Sequence, residues 1–135
     1  MDDLVQWLGE QLDEDARVAR RAGDSFRQIG ETGVIVATDG DRAEECASAN
    51  WAGIAEHIVK HDPARVLREI DAKRQLLRKV FEYEAMIDSE WGCSHDADAI
   101  RTGLCSETQP NDVEALRLLA LPYADRPGYR EEWRP

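Results

Sequence analysis

The sequence predicts a mainly α-helical single domain over residues 1–135: two long antiparallel helices, shorter helices, one short β-hairpin and a zinc knuckle. Three observations lead there. Apolar residues recur at three- and four-residue spacing over 2–28 and again over 63–89. A single run, Val34-Ile35-Val36-Ala37-Thr38, is short and β-branched enough to read as a strand. Cys93-Ser94-His95, followed by Cys105, gathers soft and borderline metal ligands in one short stretch.

The elements follow in order. Residues 2–28 carry Val5, Leu8, Leu12, Ala19, Ala22 and Phe26 near a heptad stripe, with Leu4 and Trp7 alongside. Asp15 interrupts that seam and Ala16 partly replaces it. Gly23 weakens the last turns, and Gly30 with Gly33 ends the helix. After the strand, Asp39-Gly40-Asp41 is a hairpin-turn signal, with a weak return strand from Arg42 to Ala47. Ser48-Ala49-Asn50 caps a short helix over Trp51 to Lys60, where Trp51, Ile54 and Ile58 share a face. His61-Asp62-Pro63 breaks it. Asp62 is a good N-cap and Pro63 a good first helical residue, so the second long helix runs from Pro63 to about Ser89. The segment 92–110 is the metal knuckle, and Pro110-Asn111-Asp112 starts a helix carrying Val113, Leu116, Leu119 and Ala120. Leu121-Pro122 ends that helix. The segment 123–135 is too aromatic for a disordered tail and is expected to dock.

Composition narrows the function classes. The net charge is -11, which disfavours nucleic-acid backbones and anionic membranes as partners. No stretch approaches the roughly 20 apolar residues of a membrane span. The acidic opening Met1-Asp2-Asp3 lacks the basic start and apolar run of a signal peptide, so a cytoplasmic location is expected. In a reducing compartment the 3 cysteines are expected as free thiols or metal ligands.

Cys93, His95 and Cys105 are the expected ligands of a structural Zn2+, which takes four in a tetrahedron. The fourth comes from His57, His61, Cys46, Asp96 or Asp98, with His61 the candidate chosen. Packed thiols beside an unrelated surface histidine are the alternative. His57 and His61 are four apart, a metal-ligand spacing on a continuous helix. Asp62-Pro63 cuts the helix at the second of them, so His61 can equally serve the junction while His57 packs or is solvated. The second long helix carries Arg65, Arg68, Lys73, Arg74, Arg78 and Lys79, read either as a solvated face laced with ion pairs to Glu69 or as an anion-binding stripe. No phosphate loop, dinucleotide fingerprint or nucleophile elbow is present, and no catalytic or cofactor-binding residue is assigned.

Three segments carry a resemblance: the run His57-Ile58-Val59-Lys60-His61-Asp62-Pro63-Ala64-Arg65-Val66-Leu67-Arg68-Glu69, then Asp71-Ala72-Lys73-Arg74, then 116–133, LRLLALPYADRPGYREEW. Met1-Asp2-Asp3-Leu4-Val5 and Leu12-Asp13-Glu14-Asp15 fit too. The chain resembles a family of short uncharacterised proteins from actinobacteria and their phages, a domain of unknown function. The resemblance implies a shared fold and an intracellular, phage or prophage origin, and no activity. It also implies a Cys/His cluster, here Cys93, His95 and Cys105. Val80, Tyr83 and Arg126 stand where related chains place histidine.

The expected function is a non-enzymatic interaction or accessory protein stabilised by zinc, with a protein partner and a homodimer as a further option. Trp51, Trp91, Tyr123, Tyr129 and Trp133 supply candidate anchors. The alternatives are a phage counter-defence protein that sequesters a nucleotide or mimics DNA, and a metal-dependent enzyme with an open Cys/His site.

Overall fold

The computed structural model describes residues 2–90 and 112–135, with side chains over 3–79 and 114–135. The elements are α1 (Asp2–Arg21), β1 (Ser25–Gln28), β2 (Val34–Asp39), β3 (Arg42–Ser48), α2 (Ala52–Lys60), α3 (Pro63–Glu90) and α4 (Asp112–Ala120). Two short 3-10 turns follow, Leu121–Tyr123 and Glu131–Trp133. Contacts divide the chain into two compact units, Leu12–Ala72 and Met1–Gln11 with Lys73–Pro135.

The unit Leu12–Ala72 is built on an antiparallel sheet in the order β1-β2-β3. Gly23 creates its first strand. Its φ is 110°, and a Cβ there would stand 2.8 Å from the Thr38 carbonyl oxygen, so no other residue fits without strain. The Asp24 amide then donates to that same carbonyl at 2.8 Å, and Ser25 pairs with Thr38. The Ser25 and Thr38 hydroxyls meet at 2.7 Å. Gly33 holds the other end: its carbonyl accepts from the Ala49 amide at 2.7 Å, and a Cβ there would overlap the Ala49 carbonyl. The β2–β3 turn is tight, with Asp39 opposite Arg42 and Gly40 at φ 60°.

Ile35, the second residue of β2, is fully buried. Helix α2 covers the sheet from β1 to β2, with Ala55 buried. Gln28 sets the start of α2 by donating to the Ala52 carbonyl at 3.0 Å. Asp62 closes the unit. Its Oδ1 accepts from the Arg65 amide at 3.0 Å, capping α3, and its Oδ2 accepts from the Phe26 amide at 3.1 Å.

The other unit holds a ring cluster. Trp7 lies 5.7 Å from Tyr129 and 5.5 Å from Trp133, centroid to centroid, in tilted and edge arrangements. The Trp7 indole donates to the Pro127 carbonyl at 3.1 Å. Gly128, at φ 90°, lets the backbone pass within 2.7 Å of the Trp7 Nε1, measured from where a Cβ would be. Lys73 donates to the Tyr123 hydroxyl at 2.9 Å, and the Arg126 guanidinium lies 4.7 Å from the Tyr123 ring centre. Leu4, Leu8, Leu116 and Ala120 are buried here.

This architecture corrects the predicted fold class. A three-stranded antiparallel sheet replaces the single short hairpin in a mainly α fold. The described residues show neither a long antiparallel helix pair nor a zinc knuckle. Helix α1 ends at Arg21 rather than 28, because Gly23 turns the chain and Phe26 enters β1. The α1 seam is also shifted. Leu4, Trp7, Leu8, Leu12, Ala16 and Ala19 are buried, while Ala22 is exposed. Strand β2, its turn and strand β3 stand within a residue of expectation, as do α2 and α3. Trp51, in extended backbone without a side-chain cap bond, takes the N-cap place expected of 48–50.

Two glycines give opposite expectations. Gly33→Ala should destabilise the chain by about 2 kcal/mol through the clash with Ala49. Gly9→Ala, in the interior of α1 with nothing near its Cβ position, should stabilise by about 0.5–1 kcal/mol. Urea denaturation midpoints check both; shifts of the same sign would contradict the placement of these residues.

Candidate functional site

Helix α2 carries the most distinctive surface of the described residues. Ala55 faces the sheet and is fully buried. Trp51, by contrast, is 65% exposed at the N-cap, and Ile58 is 37% exposed on the same side seven residues on. The ring of Trp51 leans over Gly53, whose Cβ position is 3.4 Å from it. A glycine there leaves room for the indole to lie along the helix. Glu56, His57, Lys60 and His61 are exposed beside this strip, and Glu56 pairs with Lys60 at 3.2 Å. Of the three residues expected to share a face, Trp51 and Ile58 are exposed and Ile54 is half-buried.

His57 and His61 come together despite the helix break between α2 and α3. Their ring centroids are 4.4 Å apart with 38° between planes. His61 is the C-cap of α2, and its Nδ1 lies 2.7 Å from the His57 carbonyl oxygen. A carbonyl can only accept, so Nδ1 carries the proton, and in the neutral ring Nε2 carries the lone pair.

The remaining site residues divide as follows. Cys93, His95 and Cys105, with Asp96 and Asp98, lie outside the described residues. Trp91 does so too. Among the described residues no group of three or more His, Cys, Asp and Glu is placed to hold a metal, so His61 is brought together only with His57. Cys46 is free and exposed in β3. The pairing passes from Ile35↔Ala47 to Val36↔Glu45, so Cys46 is the extra residue of a β-bulge. No sequence signal marked that bulge. Four of the six basic residues read on α3 have partners: Arg65 binds Glu69 at 2.9 Å, Lys73 binds Tyr123, and Arg74 and Lys79 are also engaged.

Two open clefts lie on the separate units. One, of about 200 Å³, is lined by Asp3, Trp7, Glu10, Arg130 and Trp133. Arg130 sits 5.2 Å from the Trp133 ring centre and pairs with Asp3 at 3.2 Å, so its charge is already met. Nearby, paired hydrogen bonds from Arg134 hold the exposed Glu131 carboxyl below its usual range. The other cleft, of about 280 Å³, is lined by Arg21, Thr38, Arg42, Glu44, Glu45 and Cys46, with both signs of charge mixed. Both are smaller than the roughly 300–1,000 Å³ common for small-molecule sites. No described helix is long and apolar enough to cross a membrane.

Residues 1–135 match the model of a family of unknown function, DUF6221. The chain belongs to DUF6221. No curated protein and no solved structure matches it. Membership of DUF6221 carries no activity with it.

Three tryptophans should separate by role. Trp51→Ala should leave stability within about 0.5 kcal/mol of the parent. Trp7→Ala or Trp133→Ala should cost about 3–5 kcal/mol, since both side chains are over nine-tenths buried. Equal losses in chemical denaturation would show that Trp51 is a packing residue.

Proposed function

We propose that this chain is a non-enzymatic protein-binding module whose anchor is Trp51. The observation that carries this is the exposure of Trp51, 65%, at the head of an ordered helix that buries Ala55 one turn further on. Tryptophan is the residue type most enriched at binding hot spots, because a large rigid ring gains much area for little lost freedom. Ile58 extends the apolar strip along the helix, and Ile29, 41% exposed, adds apolar surface to the same unit. The partner is a protein with an apolar pocket for the indole and a basic rim, since the chain carries a net charge of -11. The engagement of Arg65, Lys73, Arg74 and Lys79 on α3 weakens the case for a nucleotide sequesterer. The Zn2+ expected on Cys93, His95 and Cys105 enters this reading as a structural staple, supported by the residue types alone.

A photo-crosslinking residue placed at position 51, and separately at exposed Asp13, tests the proposal in the native cell. A discrete adduct from position 51 and none from 13 is expected. With that adduct's protein purified, Trp51→Ala should weaken binding at least tenfold, and added salt should slow association. Equal labelling from both positions, or unchanged affinity on removing Trp51, would refute it.

A further inference from the structure

We infer that His57 and His61 form a bidentate site for a borderline divalent transition-metal ion, Zn2+ in the first instance, on the exposed end of α2. The inference goes beyond the protein-binding reading and does not depend on it.

Four observations carry it. The two imidazole centroids stand 4.4 Å apart. Two nitrogens on one tetrahedral zinc stand roughly 3.3 Å apart, given Zn–N bonds of about 2.0–2.1 Å, so a turn of the exposed His57 ring brings both into range. His61 is already prepared. Its Nδ1–H donates to the His57 carbonyl at 2.7 Å, which fixes ring and tautomer and leaves Nε2 as the ligand atom. Metal-binding histidines recurrently use this arrangement, one nitrogen on a backbone carbonyl and the other on the ion. The site also sits at the C-terminal end of α2, the negative end of the helix dipole, which favours positive charge. Finally, the neighbouring carboxylates are committed: both Asp62 oxygens accept backbone amides, and Glu56 pairs with Lys60. The remaining coordination positions are therefore left to water or to a ligand brought by another molecule. Imidazole ligands select zinc, copper or nickel over calcium or magnesium.

This assigns His61 to His57 rather than to the sequence-predicted set of Cys93, His95 and Cys105. The test is a ¹⁵N-imidazole-labelled, untagged full chain titrated with Zn2+ and read by long-range ¹H–¹⁵N correlation. Before metal, His61 should show the Nδ1-protonated pattern. On titration, His57 and His61 should shift together with one dissociation constant. His57→Ala should weaken the His61 response at least tenfold, Lys60→Ala should leave it unchanged, and Cys93→Ser should leave it unchanged. Three results would each overturn the inference: a His61 response that survives His57→Ala, a His61 response lost in Cys93→Ser, or no shift at either ring. Magnesium in place of zinc should shift neither ring, and a shift with it would refute the ligand class.

Discussion

The carboxylate of Asp62 is the interaction on which the unit Leu12–Ala72 turns. One oxygen caps the first turn of α3 at the Arg65 amide, and the other holds the Phe26 amide of β1. A helix start leaves backbone amides without partners, and capping one of them stabilises by about 0.5–2 kcal/mol. The second bond reaches back 36 residues in sequence and fixes where the sheet stands relative to the α2–α3 junction. His61 lies immediately before this anchor and His57 one turn earlier on α2.

Much of this was legible in the sequence, and the misses have physical causes. The β2–β3 hairpin was plain because Val34 to Thr38 is β-branched and Asp39-Gly40-Asp41 is a turn signal. The α2–α3 boundary was plain because Asp62-Pro63 is both a cap and a helix start. β1 was hidden. Phe26 falls in phase with the apolar stripe of α1, and only the close approach of Gly23 to the Thr38 carbonyl shows why the helix must stop. That is a long-range contact, invisible to local periodicity. The seam of α1 passes through Ala16 rather than through Asp15, because a small apolar residue fills the place a charged one would leave unpaired.

The candidate site was legible only in part. The four-residue spacing of His57 and His61 was visible, and the break at Asp62 left His61 to the helix junction and His57 to packing or solvent. They stay together because His61 remains as the C-cap, tied to the His57 carbonyl. Trp51 stood among the candidate anchors in the sequence, but its spacing did not mark it as the exposed one. A tryptophan in step with Ile54 and Ile58 can face core or solvent, and burial along α2 decides it: Ala55 is buried and Ile54 half-buried, while Trp51 and Ile58 are exposed. The bulge at Cys46 likewise follows from pairing with β2 and has no marker of its own. Cys93, His95 and Cys105, the strongest sequence signal, lie outside the described residues.

The most direct test of the Asp62 anchor is amide hydrogen exchange on Asp62→Ala beside the parent chain. If Asp62 joins β1 to the α3 start, the Phe26 and Arg65 amides lose protection together, while the Val34 and Ile35 amides inside the sheet keep most of theirs. Unchanged protection at Phe26, with loss confined to Arg65, would contradict it and reduce Asp62 to an ordinary helix cap.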